Sequence, residues 1–285
     1  MNRDIMTSLQ SRFPEFSKGQ RRIAEYILNS YDKAAFLTAN RLGKAVGVSE
    51  STVVRFAVDL GYDGYPSMQK AMQEMVVNRL TSNQRIEVAH SRITGSDVVS
   101  TVLQSDMEKL RLTQDCLDRD VFSAAVESVL GAKRVYILGV RSAAPLASFL
   151  GYYLNYMLSD VHVVTGDMFE QIISAGPNDA VIAISFPRYS STTLRCAKYC
   201  RSTGASVIGL TDSAQSPLAA CCDHVLMAKS DMLSLVDSLV APMSVINALI
   251  VAIASRREKE LAKTFDTLES FWEANHVYEK QDDLW

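Results

Sequence analysis

The sequence lacks the residue patterns that mark common enzyme and metal-binding classes. Its 285 residues include only four histidines and five cysteines, with no CxxC pair and no histidines at zinc-finger spacing. A Ser-His-Asp order, a Walker-type phosphate loop and an H-E-x-x-H helix are also missing. These absences argue against zinc fingers, P-loop enzymes and zinc proteases, so we expect neither a metal nor a cofactor.

Long apolar runs are also missing. The most apolar stretch, residues 239–254, contains Pro242, Ser244 and Asn247 and is shorter than a membrane span, so we expect a buried core helix and no membrane partner. Residues 1–13 are too polar for a signal peptide. An odd number of cysteines without an export signal predicts reduced thiols in the cytoplasm.

The overall charge does not indicate nucleic-acid binding, because the formal net charge is −3. The charge is unevenly distributed, however. Residues 1–92 hold 13 Lys and Arg against 9 Asp and Glu, a balance of +4, and the remaining 16 against 23 give −7. This asymmetry fits a basic DNA-contacting module joined to an acidic domain, although four charges also fit a solvated face.

Residues 38–66 carry the most informative pattern, which predicts a helix-turn-helix. Thr38 is a suitable cap for a first helix, whose inner face we assign to Leu42, Ala45 and Val46. Gly47 permits the left-handed backbone that ends such a helix, and Ser49 caps a second helix that runs to about Leu60. The same features also fit a helical hairpin in a protein core.

The second helix is predicted to have an apolar stripe and an opposite polar face that is free to enter a major groove. The stripe consists of Val53, Phe56, Ala57 and Leu60, and the free face of Ser51, Thr52, Arg55 and Asp59. We predict base-edge contacts by Arg55, Ser51 and Thr52. The candidates for phosphate contacts are Ser49, Arg41, Lys44 and Tyr62.

The run AVGVSESTVVRF followed by DLGYDGY resembles the N-terminal domain of the RpiR family of bacterial transcription regulators. In that family a G-V-S, T-V-x-R-F and L-G-aromatic-x-G-aromatic series recurs. Gly43 departs from the family pattern, since the family usually has alanine there, and costs about 1 kcal/mol of helix propensity. The resemblance implies a DNA-binding domain.

After this region the hydrophobic period changes from that of helices to that of buried strands. Helical stretches at 97–117 and 121–130 precede five short apolar runs, at 134–138, 161–164, 180–185, 207–211 and 225–228. Such runs separated by helical segments predict a parallel sheet covered by helices. The predicted fold is therefore an all-α helix-turn-helix domain (1–80), a linker (81–96) and a three-layer α/β domain (97–285).

Two loops that follow predicted strands, at 139–144 and 185–192, are expected to bind a ligand, because each leads into a helix whose free N–H groups favour an anion. The succession resembles the SIS (sugar isomerase) domain, whose loops G-x-G-x-S and S-x-S-G-x-T bind a sugar phosphate. Here Arg141 and Arg188 stand at glycine positions, and Ala143 replaces a serine. The predicted ligand shell is Gly139, Arg141, Ser142, Ser185, Arg188, Tyr189 and Ser190.

Together the two resemblances imply a transcription regulator, more often a repressor, whose operator binding responds to a sugar phosphate or sugar acid. Useful specificity implies a homodimer or homotetramer on palindromic double-stranded DNA. The alternative function is a sugar-phosphate isomerase, which needs a general base and a histidine. Its candidates are Glu170, His90, His162, His224 and His276. The alternative role of the two arginines is a salt bridge at a dimer contact.

Overall fold

The computed structural model describes residues 5–79, 97–230 and 236–278. The chain divides into two compact units, Met1–Ser91 and Arg92–Trp285. The predicted linker at 81–96 lies outside the described residues, as do Leu80 and His90. The predicted domain limits therefore stay a prediction.

The first unit is helical in its described part, and two of its helices, α4 and α5 below, are those of the predicted helix-turn-helix. The helices are α1 (Ile5–Arg12), α2 (Lys18–Asn29), α3 (Tyr31–Ala34), α4 (Ala39–Val46), α5 (Glu50–Asp59) and α6 (Tyr65–Arg79), with a 3₁₀ turn at Phe13–Glu15.

The core of this unit collects one apolar face from each of the longer helices. Phe56 of α5 packs edge-on against Phe16 at 5.2 Å between ring centroids, and both rings are buried. Ile23 and Ile27 of α2 and Met68 of α6 are completely buried beside them. The core therefore fixes which face of α5 points inward, and with it which face is exposed.

The second unit contains five parallel strands, at the positions that the sequence predicts to within one residue at their ends. They are β1 (Arg134–Gly139), β2 (Val161–Val164), β3 (Asp179–Ile184), β4 (Ser206–Thr211) and β5 (His224–Met227). The strand order in the sheet is β2-β1-β3-β4-β5. β2 lies on one side of β1, whereas β3, β4 and β5 follow one another on the other side. The position between β1 and β3, where the strand order changes direction, is a topological switch point.

Helices cover both faces of the sheet, which confirms the three-layer α/β architecture. The helices of this unit are α7 (Val98–Cys116), α8 (Arg119–Leu130), α9 (Ala144–Leu154), α10 (Met168–Ile172), α11 (Ser191–Ser202), α12 (Val240–Arg256) and α13 (Glu258–Ala274). Apolar side chains of α8, α9 and α12 form one core cluster with the sheet, and those of α10 and α11 form another.

The amino ends of β1 and β3 are joined by a two-pronged ion pair. Arg134 donates through Nε and Nη2 to the two carboxylate oxygens of Asp179, at 3.0 and 2.8 Å. Burial alone would raise the pKa of Asp179, but these bonds and the N–H of Gly176 outweigh it and hold the pKa below its ordinary value. This pair sets the register of the two strands at the switch point.

The C-terminal region contains more than the core helix predicted at residues 239–254. It consists of two helices, α12 and α13, with a bend of 98° between them. α12 is the expected core helix, with Val245, Ile246 and Leu249 buried, whereas no residue of α13 is buried. Among the described helices, none is both long and apolar enough to span a membrane alone, and only this bent pair passes by length and composition.

Helix α7 also differs from expectation, because its polar residues are the buried ones. Lys109 and Thr113 are buried, whereas five apolar side chains in the first ten residues of the helix are exposed. The exposed set is Val98, Val99, Val102, Leu103 and Met107.

Candidate functional site

The turn between α4 and α5 has the geometry that the sequence predicts. The hydroxyl of Thr38 accepts the Arg41 N–H at 3.3 Å, and that of Ser49 accepts the Thr52 N–H at 3.2 Å. Gly47 lies between the helices in the left-handed region, with φ of 70°. Two caps and a left-handed glycine together fix the angle at which α5 leaves α4.

Gly43, where the family usually has alanine, is required by the packing of the turn. The Val48 N–H donates to the Gly43 carbonyl at 2.9 Å, which draws the turn back onto the helix. A Cβ at position 43 would lie 2.8 Å from the Val48 carbonyl oxygen, too close for any side chain without movement. In this chain glycine therefore permits a turn that packs more closely than alanine allows.

Helix α5 is held at both ends by side chains of the preceding helices. The carboxylate of Asp59 accepts a hydrogen bond from Gln20 at 2.7 Å, and the Asp59 carbonyl accepts one from Arg12 at 2.6 Å. Arg22 donates to the Gly47 carbonyl at 3.3 Å, in the turn before α5. Asp59, which we assigned to the free face, thus anchors the recognition helix to α1 and α2.

The predicted base-reading residues lie at the exposed start of α5. Ser51 and Arg55 are exposed, and Thr52 is half-buried. The Ser49 hydroxyl lies 2.9 Å from the Ser51 hydroxyl and 2.8 Å from the Thr52 hydroxyl, and Arg55 Nε donates to the Ser51 carbonyl at 3.5 Å. The three hydroxyls therefore form one cluster beside the guanidinium group.

The residues predicted to contact phosphates lie in α4, in the turn before α5 and after α5. Arg41, Lys44 and Ser49 are exposed, and Tyr62 is half-buried. One acidic side chain, Glu50, lies in the first turn of α5, where it accepts a hydrogen bond from Asn40 at 3.1 Å.

The sequence interpretation of α4 and α5 was incomplete in two respects. Ala45 is exposed rather than part of the inner face, which Ala39, Leu42 and Gly43 form instead. Val54 and Val58 were not assigned to the free face, yet they are exposed beside Ser51 and Arg55. The spacing 51, 54, 55, 58 was the signal that identifies them, since it traces one face of a helix.

In the second unit, the two predicted ligand loops meet at the switch point. β1 and β3 are hydrogen-bonded neighbours, and Gly139 at the end of β1 lies opposite Ile184 at the end of β3. The loops that follow these two strands therefore leave the same edge of the sheet side by side. Crevices at such carboxyl ends are where parallel α/β sheets bind ligands.

Arg141 and Arg188 share an uncommon backbone conformation in these loops. Their φ values are 59° and 67°, in the left-handed region that favours glycine. Among the described residues, the one other non-glycine residue with positive φ is His276. Both arginines stand where the resemblance to SIS loops expects glycine, so the glycine-type backbone is retained with an arginine side chain.

The side chains of both arginines are directed to solvent rather than into structural ion pairs. Arg141 and Arg188 are exposed, and neither makes an ion pair within the described part of the chain. A non-glycine residue in this region costs about 1–3 kcal/mol, and such strain is concentrated at binding sites. The two arginines are therefore exposed residues of the loops that follow the neighbouring strands β1 and β3.

The remaining predicted ligand residues shape the same two loops. The Ser190 N–H donates to the Ser185 hydroxyl at 3.2 Å, and the Ser190 hydroxyl caps α11 by accepting the Thr193 N–H at 3.3 Å. Ser142 is exposed in the 3₁₀ turn that precedes α9. At Gly139 a Cβ would lie 2.9 Å from the Ala143 carbonyl oxygen, so glycine there allows this turn to approach β1.

A chain of hydrogen bonds continues from the ligand loop along the carboxyl edge of the sheet. Tyr189 donates through its hydroxyl to the Asp212 carboxylate at 2.7 Å, and Lys229 Nζ donates to the Asp212 carbonyl at 3.2 Å. The Lys229 N–H then donates to the hydroxyl of Thr113 on α7 at 2.8 Å. Sequence reasoning missed both residues, although Asp212 directly follows β4 and Lys229 is the second residue after β5.

The residues proposed for isomerase chemistry do not converge on this edge. His224 is the first residue of β5 and so lies at the amino ends of the strands, not at their carboxyl ends. Its Nε2 atom is 3.2 Å from the Ser128 hydroxyl oxygen. His162 contacts the Asp160 carboxylate at 2.6 Å and stacks on Tyr136. Glu170 is exposed on α10, and His276 lies beyond α13. Within the described residues, no three His, Cys, Asp or Glu side chains are placed to hold a metal ion.

Comparison with known families identifies both units. Residues 3–79 match the model of the rpiR-family helix-turn-helix domain, and residues 129–252 match that of the SIS domain. The chain belongs to the RpiR-type transcription regulators. This RpiR-type chain is 26% identical over 278 residues to the HTH-type transcriptional regulator HexR of Pseudomonas aeruginosa, covering 90% of each chain.

Solved structures share the fold of the RpiR-type chain. The sugar isomerase domain of an RpiR transcription factor from Sphaerobacter thermophilus is 28% identical, with a TM-score of 0.59, over 61% of this chain and 99% of that one. The Vibrio vulnificus NanR protein, complexed with ManNAc-6P, is 22% identical, with a TM-score of 0.57, over 93% and 97% of the two chains.

Proposed function

We propose that this RpiR-type regulator binds a palindromic operator through α5 and that a small anionic metabolite, a sugar phosphate or a sugar acid, changes its affinity for that operator. The observation that carries the ligand half is the pair of left-handed arginines, Arg141 and Arg188, at the switch point of a SIS-type sheet. Relief of repression by the ligand is the proposed direction.

The ligand class follows from the chemistry of the crevice. Guanidinium groups recognise phosphate or carboxylate through paired hydrogen bonds of fixed geometry. The first turn of α11, capped by Ser190, adds backbone N–H groups that favour an anion. NanR, which has the same fold, is complexed with the sugar phosphate ManNAc-6P, a compound of this class.

Self-association is part of the proposal, because one helix-turn-helix reads too few base pairs to select one site. The exposed apolar face of α7 supports this: Val99 and Leu103 are 66% and 58% exposed on a helix that buries Lys109. Single exposed apolar residues are ordinary, but Val99, Leu103 and Met107 follow one another at four-residue spacing on one face of α7, which marks an interaction surface. The homodimer or homotetramer would bury this face.

An isomerase reaction has less support. It requires a base and an acid within hydrogen-bond reach of the substrate, whereas His224 is at the opposite edge of the sheet and His162 is held by Asp160. We therefore propose a sensor without catalytic activity, acting on DNA in the cytoplasm. Conversion of a sugar phosphate by the purified protein would favour the alternative.

The proposal is tested by thermal-shift screening of the full-length protein against phosphorylated and carboxylated sugars. A ligand at 100 times its Kd adds about 2.7 kcal/mol of stability by mass action. A compound that raises the melting temperature should also change binding to the operator in an anisotropy assay. If stabilising compounds leave DNA binding unchanged, the regulatory half of the proposal is wrong.

A further inference from the structure

The exposed face of the recognition helix α5 contains more than the polar residues assigned to DNA contact. Val53, Phe56 and Ala57 are buried, which fixes the inward face of the helix. The opposite face therefore presents residues 51, 54, 55 and 58, at helical spacings of three, four and seven. Two of these are valines: Val54 is 37% exposed and Val58 is 54% exposed.

These valines lie in a setting that matches DNA rather than a protein partner. Arg55 is on the same face, and Arg41 and Lys44 are exposed on the neighbouring helix α4. The N-terminus of α5 adds the positive end of a helix dipole. A surface of this charge is complementary to a phosphate backbone.

The chemistry of the valines then selects their target. A valine side chain neither donates nor accepts a hydrogen bond. On the base edges of the major groove, the one apolar group is the C5 methyl of thymine. We propose that Val54 and Val58 determine specificity by packing against thymine methyl groups, while Arg55 and the hydroxyl cluster contact the polar groups of the base edges. This inference rests on the proposed function of α5.

The test uses deoxyuridine, which differs from thymidine only by this methyl group. A duplex is first selected from a random pool by the full-length protein. Each thymine of the selected duplex is then replaced singly by uracil, which keeps the Watson–Crick pair, the O4 acceptor and every phosphate. Removal of one buried methyl should weaken binding about fourfold at each contacted position.

Protein variants identify which valine contacts which methyl. Val54→Ala and Val58→Ala each remove apolar atoms from an exposed helix position, where alanine is a better helix former than valine. Each variant should bind the thymine duplex about as weakly as the wild type binds the duplex in which the thymine contacted by that valine is uracil. Replacing that same thymine by uracil should then not weaken the binding of the variant further. Val251→Ala, at an exposed valine of α12 in the other unit, should leave the uracil response unchanged.

The outcomes separate this inference from the function on which it rests. If the protein selects no sequence, the proposed DNA reading fails and the inference fails with it. If it selects a sequence but binds every uracil duplex as tightly as the thymine duplex, the inference alone is overturned. A selected duplex without thymine in its half-sites, or undiminished uracil sensitivity in both alanine variants, would overturn it equally.

Discussion

Replacing Arg141 or Arg188 by glycine should stabilise the protein while weakening the ligand response. Both residues have φ values in the left-handed region, at 59° and 67°. This conformation costs a non-glycine residue about 1–2 kcal/mol. Glycine avoids that strain, but on folding it loses more conformational entropy than other residues, which costs about 0.5–1 kcal/mol. The expected net gain is about 0.5–1 kcal/mol at each site.

Two control variants separate the backbone from the side chain. Arg141→Ala removes the guanidinium group but keeps the strained backbone, so its stability should stay near that of the wild type. Lys198→Gly places glycine at an exposed position inside α11, where it should cost about 1 kcal/mol. The predicted order of stability is Arg141→Gly, then wild type and Arg141→Ala together, then Lys198→Gly.

The assay is urea unfolding of the full chain, followed by hydrogen exchange in peptides from β1 and β3, which reports the stability of this unit. Ligand affinity is measured on the same variants. Hydrogen bonds to charged groups contribute about 1.5–3 kcal/mol each, so loss of either guanidinium should weaken an anionic sugar at least tenfold. If Arg141→Gly and Arg188→Gly destabilise as much as Lys198→Gly, these loops do not hold a left-handed residue and the reasoning is refuted.

Three further predictions concern DNA reading, assembly and pH. Arg55→Ala should cost about 1–3 kcal/mol of binding free energy on the selected duplex and relax the sequence preference. Lys44→Ala should weaken binding to all sequences alike and flatten the salt dependence of binding. Equal losses of affinity on selected and random DNA for Arg55→Ala would contradict the assignment. Leu103→Glu should convert the oligomer to monomers in light scattering, and a wild-type protein that is monomeric with and without DNA would argue against the α7 surface. Asp179→Asn should cost about 2 kcal/mol near pH 7. The pKa of Asp179 is lower in the folded protein than in the unfolded chain, so the carboxylate stabilises the fold above the unfolded-state pKa, and this stabilisation is lost as the pH falls below about 4. If Asp179→Asn is as much less stable than the wild type at pH 3 as at pH 7, this prediction is wrong.

Much of the fold could be predicted from local patterns. Thr38, Gly47 and Ser49 specify the turn through caps and a left-handed glycine, which are properties of a few neighbouring residues. The three central strands β1, β3 and β4 are short and buried on both faces, so each appears as an apolar run. Such signals need no knowledge of distant residues.

Features that depend on which surfaces meet could not be predicted in this way. In α7 the Thr113 hydroxyl is buried where it accepts the Lys229 N–H, a group far away in the sequence, and Lys109 is buried beside Ser105 and Asp106 of its own helix. The bend between α12 and α13 was missed because helical periodicity continues on both sides of it. Ala45 was misassigned because its three-residue spacing from Leu42 does not distinguish the edge of an inner face from its centre.

The candidate site was predicted in part. The two loops were found from their positions after strands, and the sheet order then explains why they are neighbours. The left-handed φ of Arg141 and Arg188 was not predictable, because arginine rarely adopts it and the surrounding structure has to impose it. Asp212 and Lys229 join the site through tertiary hydrogen bonds alone.

The central claim is that an anion bound by Arg141 and Arg188 controls operator affinity. It is tested most directly by titrating sugar phosphates and sugar acids into the complex of the full-length protein with its selected duplex, followed by fluorescence anisotropy. One compound should shift the affinity of the wild type for DNA. The Arg141→Lys and Arg188→Lys variants should still bind the duplex but need at least tenfold more of that compound, because lysine cannot form the paired hydrogen bonds of a guanidinium group. A response of both lysine variants at unchanged ligand concentration would contradict the claim.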